Sequence, residues 1–177
     1  MPRYVAFLRA VNVGGRVVKM EALKKIFESM GLADVESFIA SGNVAFSSKG
    51  VKGLDAKIAT GLGKALGYEV PTFVRTVDEI ADLAAQRPFA ERDAAAFPTY
   101  LVGFLSKDLD AAGVERLSLL STKEDLFHIR GHNFWWLSRH RQSDPAITGR
   151  QLEKALGQPT TLRNVNTIRR MAERFGT

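Results

Sequence analysis

The residues best suited to chemistry stand early in the chain. Arg9, Asn12, Gly14, Gly15 and Arg16 follow an apolar run ending in Phe7-Leu8. A guanidinium, an amide and two glycines in one short loop can turn positive charge and bare backbone N–H groups toward an anion. Ser41-Gly42-Asn43 supplies a hydroxyl, a glycine backbone and a second amide. Neither set holds a carboxylate, so a bound phosphate or carboxylate suits them better than a cation or a proton transfer. The structural alternative is that the glycines serve positive φ while the side chains cap a loop and a hairpin. A third polar patch runs from Thr160 to Thr167 and contains Arg163 and Asn164. Asn164 or Asn166 can cap the helix expected after it, and a cation at that positive end is unfavourable unless an anion lies between.

Aromatic and basic residues interleave further along. Phe127, Phe134, Trp135 and Trp136 alternate with His128, Arg130, His132, Arg139 and Arg141. Trp135 with Arg130, Arg139 and Arg141 forms the candidate nucleic-acid surface, since an accessible aromatic among basic residues can stack a base. The competing expectation is that one Trp fills the core and the other packs on a helix or a second subunit. His128 and His132 span a predicted turn and lack a third ligand, so no metal is expected. Gly61-Leu62-Gly63-Lys64 lies inside a helical stripe and lacks the frame of a phosphate loop. Asp144 is the one carboxylate to watch for acid–base work, with a turn or a pairing with Arg141 as its plainer role. No cofactor motif is present, and no catalytic residue is identifiable.

Charge separates along the chain. Of 25 Lys and Arg and 19 Asp and Glu, residues 1–127 hold sixteen of each, so the entire net +6 comes from residues 128–177, which also carry all three histidines. A neutral body with a basic C-terminal part suits an acidic partner. Cysteine is absent, which excludes disulfides, cysteine-ligated zinc, iron–sulfur clusters and a thiol nucleophile. No basic leader and no apolar stretch of membrane-spanning length is read, so a cytoplasmic location is expected. Monomer and homodimer both remain open.

These residues need elements to position them. Residues 3–10 are apolar on both faces, as a central strand is. Met20, Leu23, Ile26, Phe27 and Met30 make a helical stripe closed by Gly31. Strands are expected at 34–40 and 43–48 around a turn at Ser41-Gly42-Asn43. A helix follows on Val51, Leu54, Ile58, Leu62 and Leu66, then a strand at 71–75 that opens with Pro71, as an edge strand can. The order βαββαβ is that of ferredoxin-like folds. It brings the loop after the first strand to the same sheet edge as the turn between the second and third. A capping box at Thr76–Glu79 starts a short helix to about residue 86, and residues 90–98 read as a junction. A strand at 99–106, a helix near 108–120, strands at 123–130 and 133–139 and helices near 146–157 and 165–175 complete the chain. The expected organisation is α+β: a ferredoxin-like subdomain at 1–76, a helix and linker at 77–98, and a second βαββαα subdomain at 99–177. No matching residues align the two halves as a sequence repeat.

Several of these motifs resemble a known family. Leu8-Arg9, Asn12-Val13-Gly14-Gly15, Met20 and Leu23, Ser41-Gly42-Asn43-Val44 with Phe46, Pro88-Phe89, and Thr161, Arg163-Asn164, Asn166-Thr167 are similar, in order and spacing, to the bacterial family called domain of unknown function 1697. The resemblance implies an α+β architecture with a ferredoxin-like portion, and no activity. His132-Asn133-Phe134-Trp135-Trp136 departs from its usual pattern. From the residues, the expected function is non-enzymatic binding of an anionic partner, foremost nucleic acid. The alternatives are an enzyme or sensor for a small phosphorylated or carboxylated metabolite at the N-terminal sheet edge, and a protein-interaction module.

Overall fold

The computed structural model describes residues 1–12 and 14–176, without the side chain of Ser41. Its chain divides into two units: Met1–Asp82 joined by the residues from Met171 on, and Leu83–Arg170. The first boundary, between Asp82 and Leu83, falls within the 77–98 segment.

In the first unit, β1 (Arg3–Leu8) is buried along nearly its whole length because both of its faces are apolar. It pairs antiparallel with β3 (Ala40–Ser47) and β4 (Thr72–Thr76), and β2 (Ala33–Phe38) closes the other edge, in the order β2-β3-β1-β4. The helices α1 (Met20–Ser29) and α2 (Leu54–Leu66) cover the face carrying Tyr4, Ala6, Leu8, Val44 and Phe46. Gly61 lets the two helices approach, since a methyl group there would stand 2.3 Å from the sulfur of Met30. Val51 lies before α2 and is exposed, outside the stripe expected for it.

The second unit repeats the plan. β5 (Thr99–Phe104) lies between β7 (Asn133–Ser138) and β8 (Thr161–Asn164), with β6 (Asp125–Arg130) at the far edge, again antiparallel and in the order β6-β7-β5-β8. Its helices are α5 (Ala111–Leu120) and α6 (Gly149–Leu156). Between the sheets in sequence come α3 (Val77–Ala85) and α4 (Glu91–Ala96), and α7 (Val165–Phe175) ends the chain. Two elements are additional to those expected. α4 occupies the alanine-rich junction, and β8 occupies part of the polar patch before α7. Thr161 and Leu162 lack the apolar run of a central strand, but β5 offers them a free edge to pair with.

The second sheet completes the same βαββαβ order as the first, and the likeness reaches individual residues. On β1, Val5 faces Arg75 and Phe7 faces Asn43. On β5, Val102 faces Arg163 and Phe104 faces Asn133. Partners of the same type meet at the same ladder positions, through four scattered residues that share no local motif.

The first hairpin differs from expectation. Its turn is at Ile39, not at Ser41-Gly42-Asn43, which lie inside β3. Local turn preference at Gly42-Asn43 yields to the ladder with β1, where Asn43 is 2% exposed. Its Nδ2 donates to the Phe38 carbonyl at 3.1 Å and so closes the turn. Ile39 takes the cost: φ is +65° for an exposed β-branched residue. Among the described residues no helix is long and apolar enough to cross a membrane.

Candidate functional site

Among its described residues the loop after β1 carries four left-handed ones, Ala10, Asn12, Gly14 and Gly15, with φ of 59°, 61°, 63° and 82°. A side chain at either glycine would meet no neighbour, so backbone conformation alone explains both. Asn12 Oδ1 accepts the Val18 N–H at 2.5 Å and staples the loop. The Arg9 N–H donates to the Pro71 carbonyl at 3.0 Å, fastening the loop to the start of β4. Asn43 does lie beside the end of β1, as the topology requires, and Gly42 precedes it in β3. Both amides at this edge thus hold backbone. The Ser41 side chain lies outside what is described.

Arg163 and Asn164 fall in the second unit. Asn164 Oδ1 accepts the Asn166 N–H at 2.9 Å at the start of α7, the capping role expected of it. Arg163 donates to Thr161 Oγ1 at 2.7 Å and to the Leu162 carbonyl at 2.8 Å. Burial lowers its pKa to about 10, which leaves it charged at neutral pH.

The aromatic hairpin requires a correction. Trp135 is 1% exposed and cannot stack a base from solution. Alternation puts Trp135 and Trp136 on opposite faces of β7, and both faces are covered. Trp136 lies on Phe127, ring centres 5.5 Å apart, and donates from Nε1 to Asp125 Oδ1 at 2.9 Å. Arg130, Arg139 and Arg141 remain exposed, with the Arg139 guanidinium 4.2 Å over the Phe97 ring. Asp144 donates its N–H to the Arg141 carbonyl at 3.0 Å, the turn role. Among the described residues no three His, Asp or Glu side chains converge as a metal site would need.

Cavities open in the second unit among the described residues. The smaller, about 200 Å³, lies over Leu101, Trp136, Ile147 and Leu162 with His140 at its rim. His140 Nε2 is 3.0 Å from Glu124 and 4.0 Å from Asp125, so carboxylates stand behind it. Arg141 lines it as well, so this cavity offers an anion one arginine where the larger offers two.

The larger, about 560 Å³, is within the size range of small-molecule sites and is lined by Arg87, Phe89, Glu91, Ala94, Ala95, Tyr100 and Arg169. Chain punctuation builds it. Pro88 cannot continue α3, so Arg87 and Phe89 turn away just past the helix end, and α4 supplies the small alanines. The Phe89 ring meets Tyr100 edge-on at 5.7 Å, and the Arg169 guanidinium lies 5.8 Å from the Tyr100 ring centre. Burial raises the Tyr100 pKa, while Arg169 and Arg87 pull it the other way. Its hydroxyl is thus a protonated donor at neutral pH. Arg87 donates to the carbonyls of Ala84 and Gln86 at 2.7 and 2.8 Å. Arg169 Nε is buried without a hydrogen-bond partner, and its terminal nitrogen reaches only Asn166 Oδ1 at 3.5 Å. A buried guanidinium N–H without an acceptor is costly.

Sequence reasoning missed this site. It ends the helix at about residue 86, mentions Phe89 only within the family resemblance, and names none of Arg87, Tyr100 and Arg169 as a candidate. The available signal was Arg169 one residue past Ile168 in the buried stripe of α7, but nothing local joins residues 87, 100 and 169.

Comparison with known proteins adds the following. A structure titled as that of a conserved bacterial protein from Streptococcus pneumoniae superposes with a TM-score of 0.76 at 22% identity, covering 100% of this chain and 99% of that one. It shows the fold alone. No curated protein matches the chain. A family model described as a protein of unknown function, DUF1697, matches residues 1–135.

Proposed function

The chain belongs to the DUF1697 family of proteins of unknown function, and we propose that it works by binding a small anionic ligand between Arg87 and Arg169. One observation carries this reading: Arg87 and Arg169 line one cavity together with Tyr100, whose ring centre lies 5.8 Å from the Arg169 guanidinium. A phosphate or carboxylate there would accept from their terminal guanidinium nitrogens, and two arginines would neutralise it. Among the described residues neither arginine is in an ion pair. The ligand class is that of the alternative expected from the Arg9 loop and Ser41–Asn43, a small phosphorylated or carboxylated molecule, proposed here for the second unit instead of the N-terminal sheet edge.

Calorimetric titration with phenyl phosphate and with inorganic phosphate tests it. Wild type binds phenyl phosphate, and Arg169→Gln weakens binding about tenfold or more, the worth of a charge-assisted hydrogen bond. Absence of heat with either anion, or equal affinity in Arg169→Gln, refutes the reading.

A second reading, nucleic acid, is supported by the exposure of Arg130, Arg139 and Arg141 in the segment that carries the whole net charge. Without an accessible Trp it rests on phosphate contacts, so affinity for short oligonucleotides should fall steeply with salt and show little base preference. Salt-insensitive binding, or none at low salt, refutes it.

A further inference from the structure

The larger cavity holds charge of both signs. Glu91 is the one carboxylate among its lining residues, on the first turn of α4. Opposite charges around one cavity ordinarily close on each other. Here Arg92 pairs with Asp93 at 3.8 Å, while Glu91 is in no ion pair with Arg87 or Arg169 among the described residues. Glu91 therefore does not serve to neutralise the arginines. Phe89, Ala94 and Ala95 form the apolar part of the lining.

We propose that the ligand of this cavity is amphoteric: a phosphate or carboxylate held by Arg87 and Arg169, joined through an apolar body to an amine held by Glu91. This rests on the cavity being an anion site. With two guanidinium groups, one carboxylate and a neutral phenol, the lining keeps a single net positive charge. A phosphate monoester dianion carrying one ammonium matches that charge. The same ester without the amine leaves Glu91 facing an anion with nothing between them, which costs affinity. Glu91 thus acts as a filter: it penalises plain anions and admits those that bring their own cation.

The test uses two phosphate monoesters of one shape. Tyramine phosphate and 4-propylphenyl phosphate differ only in an ammonium against a methyl group at the chain end. Calorimetry on wild type should show tyramine phosphate binding about fivefold tighter, the upper worth of a pair made by the exposed Glu91. Glu91→Gln should abolish that preference by weakening tyramine phosphate while leaving 4-propylphenyl phosphate unchanged or tighter. Arg169→Gln should weaken both. Equal affinities in wild type, or a preference that survives Glu91→Gln, overturn the amphoteric ligand and leave the anion site standing. Failure of both probes at millimolar concentration overturns both.

Discussion

Gly103→Ala probes how tightly the second sheet is built. Gly103 faces Phe134 across the β5–β7 ladder, and the Phe134 ring lies over the glycine. A methyl group on Gly103 would stand 2.1, 2.2 and 2.7 Å from three carbons of that ring. All three distances are impossible, so the ring must leave its place. It is fully buried, in contact with Phe127 at 6.5 Å between centres, and belongs to the apolar core around Leu101, Trp136 and Leu152. Overpacking of this kind costs about 1–3 kcal/mol, and three simultaneous overlaps put the change at the upper end. For a chain of this length each kcal/mol is worth roughly 2–4 °C, so the melting temperature should fall by roughly 6–12 °C. Gly63→Ala serves as the opposite control. Its methyl would meet only the Tyr68 carbonyl at 3.7 Å, an ordinary contact, inside helix α2. Alanine outscores glycine in a helix interior by about 1 kcal/mol, so that variant should melt slightly higher. The assay is thermal melting by circular dichroism, with Phe134→Leu made alone and together with Gly103→Ala. The smaller side chain makes room, so the double variant should lose less than the two single losses combined. A Gly103→Ala protein that melts with wild type, or a strictly additive double variant, refutes the packing account.

Two further outcomes follow from backbone and charge. Ile39→Asn replaces a β-branched residue at φ +65° with one that tolerates the left-handed region, and Ile39 is 53% exposed. Stability should rise by about 1 kcal/mol in urea unfolding, and a loss would show that the Ile39 side chain is needed where it stands. Tyr100 has its pKa raised by burial. Below pH 10 the phenol is neutral in both states and contributes no pH dependence. Above it the unfolded chain ionises first, so stability should fall there, and Tyr100→Phe should lessen that alkaline loss. An identical alkaline profile for the variant would contradict the assigned burial.

What the sequence made legible is what local pattern determines. The two-faced apolar run of β1, the stripes of α1 and α2, and the capping box at Thr76–Glu79 all follow from spacing along one element. The errors share a physical cause, which is that a partner element decided the outcome. Ser41-Gly42-Asn43 has turn chemistry but lies in β3 because β1 pairs with it. The patch at Thr161–Asn164 became β8 because β5 had an edge to offer. Trp135 looked like a stacking surface because its neighbours are basic, and burial of both sheet faces decided otherwise. The Arg87–Tyr100–Arg169 cavity was the least legible, since its three polar groups come from three separate stretches of chain.

The likeness of the two units shows where such a site can arise. Counting back two residues from Val5 and from Val102, which face the matched arginines, Arg3 and Tyr100 occupy equivalent positions. They have opposite fates. Arg3 is paired with Glu36 and lies 5.3 Å over the Phe175 ring, so its charge is neutralised and its face covered. Tyr100 has an arginine from α7 over its ring and a cavity beside it. The matched ladder positions, Val–Arg and Phe–Asn, hold strands together in both units, so substitution there is constrained by the fold. The cavity instead draws on Arg87, Phe89 and Glu91 from the connection before β5 and on Arg169 from the helix after β8. Both segments lie outside the βαββαβ pattern that the two units share. On the last helix Ile168 and Met171 are fully buried and serve the core, whereas Arg169 beside them lines the cavity, so the proposed site draws on a position that neither ladder nor core requires.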